Sequence, residues 1–138
     1  MMEISVNGNS DELFLSDTTS LAGKLLGEIL SSIKATPAFT IENETLRNNY
    51  IAGLTVDISR FVEITTLLSK IIMLKSQSIL SEVKDSHIHL LFVMKGISQA
   101  QQKQDLVALE DLIKYELKDN LTQWKIDLIP QIKRLLKK

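Results

Sequence analysis

The sequence contains no cysteine, two prolines, five glycines and two histidines among 138 residues, and aromatic residues make up 5%. Without cysteine there is no disulfide, no thiolate metal centre and no cysteine nucleophile. With two histidines, a metal centre would have to be built from scattered carboxylates, and no metal or cofactor is expected. Few aromatics and few prolines leave the core volume to Leu, Ile and Val. The longest uninterrupted apolar run is Leu90 to Met94, far too short to cross a membrane. Residues Met1 to Asn9 lack the basic start and apolar centre of a signal peptide. These absences predict a soluble cytoplasmic protein.

What is present is 44% apolar and 24% charged residues, the balance of a folded domain. The charge is unevenly divided. Residues 1–64 carry nine acids and four bases, a net of −5, whereas residues 65–138 carry eight acids and twelve bases, a net of +4. Lys133, Arg134, Lys137 and Lys138 close the chain. A short basic cluster without interleaved aromatics reads as charge complementing a helix C-terminus, so neither nucleic acid nor a membrane is expected as partner.

The first part reads as mixed strand and helix. Ile4 and Val6 alternate with Glu3 and Ser5, Asn7-Gly8 is a turn signal, and Leu13 to Leu15 offers a second short strand. Asp17 or Thr18 then caps a helix with Leu21, Leu25, Ile29 and Ile33 four apart, ended by Pro37. Ala38 to Asn43 alternates as a third strand. Residues 58–65, rich in β-branched side chains, give a fourth, with one long helix from Val56 to Lys84 as the rival reading.

Strand, strand, helix, strand, strand is the order of a β-grasp. Met2 to Gly8, Thr18-Thr19-Ser20-Leu21 with Leu25-Leu26, Phe39 to Leu46, and Val62 to Thr65 resemble the strands and helix start of the small bacterial sulfur-carrier proteins of thiamine synthesis. The resemblance implies a ubiquitin-like fold over about residues 2–66. Sulfur carriers end in Gly-Gly, but here Thr66-Leu67-Leu68 leads into a helix and the chain ends Lys137-Lys138. The resemblance therefore implies the fold without the sulfur chemistry.

From Thr66 onward the period is helical. Leu67, Ile71 and Leu74 make one stripe, and Leu68, Ile72, Ile79 and Val83 another. Asp85 or Ser86 is expected to break and recap the chain, and Gly96 weakens the next helix. Asp105 caps the last one, whose apolar positions run at steps of three and four from Leu106 to Leu135. Pro130 predicts a kink there, or a restart near Asp127. The whole is expected to be α+β: a β-grasp-like unit over 1–65, followed by three antiparallel helices over 66–138 packed with it as one unit.

No constellation points to catalysis. His87 and His89 would point about 200° apart on a helix. Glu110, Asp111 and Glu116 stand among lysines, with Glu110 and Lys114 spaced as an i,i+4 pair on a solvated face. There is no G-x-S-x-G motif and no phosphate-binding glycine loop, and Gly23 and Gly27 fall inside a helical pattern. Apolar residues on the later helices exceed one face, so the expected function is non-enzymatic: an adaptor contacting a protein partner or a second copy, with no small-molecule substrate. Candidate interface residues are Ile72, Met73, Phe92, Met94 and Trp124. Two alternatives are a secretion or assembly chaperone shielding a client helix, and a small enzyme using helix carboxylates.

Overall fold

The computed structural model describes residues 8–35 and 43–136, and among these residues every element is helical. Helix α1 spans Gly8–Ala35, α2 Glu44–Lys75 and α3 Gln77–Gln102. Residues 106–136 form one continuous helix, α4, in which Leu112–Leu117 and Trp124–Leu128 are wound in the wider π spacing. α1 and α3 each pack against both α2 and α4, so the four helices form the sides of a bundle.

The expected α+β architecture and the β-grasp resemblance are overturned by this structure. Residues 58–65 lie within α2, not in a strand. Ile51, Leu54, Ile58, Phe61, Thr65, Leu68 and Ile72 step by three and four along one buried face, and that period outweighs the β-branched composition of the segment. Threonines are accommodated because their hydroxyls bond back to the preceding turn: Thr55 Oγ1 to the Ile51 carbonyl at 2.8 Å and Thr65 Oγ1 to that of Phe61 at 2.9 Å. The boundary between the two expected units, at 65/66, falls inside this helix. Residues 12–16, expected as a strand, belong to α1. The expected cap, Asp17 or Thr18, falls inside α1, and the buried stripe Ala22, Leu26, Ile29 and Ile33 continues backward through Thr18 and Thr19. The expected strand at residues 2–7 lies outside the described residues, as does that at 38–43 except for Asn43, which is not in a strand but caps α2 by accepting from the Leu46 N–H at 3.0 Å.

The break expected at Asp85 or Ser86 falls instead at Ser76. Its N–H donates to the Ile72 carbonyl at 2.8 Å, ending α2, and its Oγ accepts from the Ile79 N–H at 3.3 Å, starting α3. With one residue between them the helices fold back antiparallel, as the Thr65–His87 and Asn48–Gln101 contacts require. α4 returns antiparallel to α3, with Asn120 against Ser86. Their connection is a Schellman turn: Gln104 takes φ 55°, its N–H donates to Gln101 O at 3.1 Å, and the Asp105 N–H donates to Ala100 O at 2.9 Å. Asp105 then caps α4 by accepting from the Ala108 N–H at 3.1 Å.

Pro130 neither stops α4 nor makes it restart. The turn before it widens, with the Ile129 N–H reaching back to the Trp124 carbonyl, and the helix runs on through the proline. A single apolar cluster takes residues from all four helices. Where α3 meets α4, a Cβ on Gly96 would lie 3.3 Å from both Leu112 methyls, so the glycine sets a close approach.

Two substitutions test this account by urea denaturation. Gln104→Gly relieves the left-handed conformation and is expected to stabilise the fold by about 1 kcal/mol. Gly96→Val drives its branched side chain into Leu112 and is expected to cost about 1–3 kcal/mol.

Candidate interaction surface

α3 has a buried edge and an apolar outer edge. Val83, Leu90, Val93 and Ile97 face the core. Ile88, Leu91 and Phe92, at steps of three and one, occupy the other side, and Phe92 is 74% exposed. Beside them, between α2 and α3, runs a groove of about 300 Å³ lined by Ile58, Val62, Leu91 and Met94, with Thr55, Ser59 and Glu63 on its α2 rim. The groove and the stripe form one continuous apolar zone, flanked on α3 by Lys84 and Lys95.

The five candidate interface residues separate on this frame. Phe92 and Met94 belong to the zone, and Met73 is half exposed near the end of α2. Ile72 and Trp124 are wholly buried. Trp124 instead sits inside the bundle, edge-on to Phe61 at 5.1 Å and stacked on His87 at 5.6 Å with 27° between the rings.

The histidines diverge as the helical spacing requires, and both are held. The Thr65 hydroxyl gives its proton to the Phe61 carbonyl, so at 2.6 Å the Nε2–H of His87 is the donor to Thr65 Oγ1. His89 turns toward α4, where its Nδ1 accepts from Asn120 Nδ2 at 3.0 Å and its Nε2 lies 3.7 Å from Glu116. Asp111 and Glu116 are exposed on α4. Among the described residues no three His, Asp or Glu side chains are grouped to hold a metal ion. No helix among them is long and apolar enough to cross a membrane.

Asn120, unnoticed in the sequence, is a buried polar link between α3 and α4. Its Nδ2 also donates to the Ser86 carbonyl at 3.2 Å. The available signal was its register: it stands between Leu117 and Leu121 where an apolar residue is the norm, and a buried amide there must find partners. Thr65 carried the same signal, in register with Phe61 and Leu68.

Comparison with known proteins finds no matching family model, no matching characterised protein and no matching solved structure.

Burial lowers the pKa of His87 from 6.5, because the apolar surroundings disfavour the imidazolium. The unfolded chain therefore binds more protons than the folded one as pH falls below 6.5. The His87 contribution to stability is complete above that value and is lost as the pH descends toward the lowered folded pKa. Urea midpoints measured from about pH 7.5 down to about pH 5 are expected to fall for the wild type, and to fall less for His87→Gln.

Proposed function

We propose that this chain is a non-enzymatic interaction protein that works as a homodimer joined through the outer face of α3. The observation that carries the reading is the continuous apolar zone of Ile88, Leu91 and Phe92. A twofold interface opposes a helix with its own copy. Antiparallel pairing of α3 about residue 90 sets Ile88 of one copy against Phe92 of the other, and the same register sets Lys95 against Asp85. Apolar thus meets apolar, and opposite charges meet at the rim. Aromatic side chains at the centre of such a patch carry most of the association energy. A cysteine-free chain suits a reducing compartment, and we place its work in the cytoplasm.

The groove between α2 and α3 supports a second reading, in which an amphipathic helix of a client protein lies along the same zone. The two readings part on oligomeric state. Sedimentation equilibrium of the wild type is expected to show a monomer–dimer equilibrium. Phe92→Glu is expected to weaken dimerisation by about 2 kcal/mol, roughly thirtyfold, with an unchanged far-ultraviolet circular dichroism spectrum. A wild type that stays monomeric at millimolar concentration sinks the homodimer.

A further inference from the structure

Between α1 and α4 lies a cleft of about 310 Å³. Its charge comes from Lys24 on α1 and from Lys125 and Lys133 on α4, and no carboxylate lines it. All three lysines are exposed, and none is ion-paired with another described residue. The chain as a whole carries a net charge of −1, so this concentration of positive charge is local and does not follow from a basic composition. Gly23 and Gly27 form the α1 wall, and a Cβ built at either would meet no atom within 4 Å. Glycine weakens a helix interior, yet the packing of the bundle does not require it at these two positions. The space over the α1 backbone is open to another molecule.

The ligand's chemistry follows from these features. Three ammonium groups round one cleft repel one another, and an anion set among them turns that repulsion into attraction. Lysine meets phosphate oxygens as a point charge with three rotatable donors, so it suits a ligand rich in such oxygens. Lys125 and Lys133 are separated by about 12 Å along α4, with Lys24 across the cleft from them. A chain of phosphoryl groups matches charge spread over that length better than one phosphate ion does.

We infer that the α1–α4 cleft binds a triphosphate chain, its oxygens among Lys24, Lys125 and Lys133 and its length laid over Gly23 and Gly27. Two sources share this chemistry, a nucleoside triphosphate and free inorganic polyphosphate. The cleft shares no residue with the α3 face used for dimerisation, so either proposal can fail alone.

The test is calorimetric titration of the full chain with inorganic tripolyphosphate, ATP and orthophosphate at about 0.15 M salt, where distant charges are screened. Tripolyphosphate is expected to bind at one site per chain, at least about tenfold more tightly than orthophosphate. The double variant Lys125→Gln, Lys133→Gln, whose side chains are exposed, is expected to weaken tripolyphosphate by about tenfold without loss of fold. Lys70→Gln, Lys75→Gln removes the same charge from exposed positions of α2 and is expected to leave binding within about twofold. Gly23→Leu places a side chain in the open space and is expected to keep the helical circular dichroism spectrum while weakening tripolyphosphate at least about tenfold. If Gly23→Leu fails to fold, the comparison of the two lysine pairs decides. Tighter binding of ATP than of tripolyphosphate assigns the source as a nucleotide, and the reverse assigns it as free polyphosphate. No binding of tripolyphosphate, equal weakening by the two lysine pairs, or unchanged binding in a folded Gly23→Leu variant overturns the proposal.

Discussion

The contact of Trp124 with the rings of Phe61 and His87 joins α4 to both α2 and α3 at one level of the bundle. In a protein so poor in aromatics, Trp124 and Phe61 are the largest fully buried side chains among the described residues, and their contact helps hold three helices together. Its geometry fixes what lies around it. Phe61 and Thr65 must share a face of α2, and His87 must turn inward from α3. The next residues of α3, Ile88 and His89, are then pointed away, one toward the outer apolar edge and the other toward the α4 seam. The outward placement of Ile88 is a consequence of where this ring cluster sits.

The polar groups drawn into the interior are handled unequally. Thr65 is fully used, bonded to its own helix and to His87. Asn120 is used on its nitrogen side and left open on its oxygen side. Trp124 has its Nε1–H buried without an acceptor, a cost set against the packing that the ring provides. These departures from complete pairing lie on one helix, α4, and α4 is also the helix that twice relaxes into wider turns. Trp124 opens the second widened turn, whereas Asn120 lies in the regular stretch Lys118–Gln123 between the two.

The later helices were legible because their apolar residues recur at steps of three and four over long stretches, and because Asp105 is a strong cap with its acceptor in place. In the first half only the helix expected after Asp17 was legible, as part of α1. Residues 58–65 hold Ile, Phe, Val and Thr in numbers that favour a strand, and the same residues also satisfy a helical step once Ile51 and Leu54 are counted with them. Composition over eight residues misled where periodicity from Ile51 to Ile72 was decisive. Ser76 was missed because, within the polar run Lys75 to Ser78 between two apolar stretches, it looks like an ordinary surface position. Only the bonds it makes to Ile72 and Ile79 mark it as the end of one helix and the start of the next. The overlooked Asn120 was a matter of weighting, since one polar residue in an apolar series reads as noise until its partners are seen.

Joining two long helices through Ser76 alone has a mechanical consequence. That end of the bundle has no slack, and α3 cannot slide along α2 or swing away from it without unwinding a turn of one or the other. The opposite end is tied through three residues, Lys103 to Asp105, one of them in a left-handed conformation. α2 and α3 are thus joined covalently at Ser76, while their far ends are held together by noncovalent contacts such as Gln101 Nε2 donating to Asn48 Oδ1 at 3.3 Å. Motion that changes the spacing of α2 and α3 is confined to the end where α2 begins and α3 finishes.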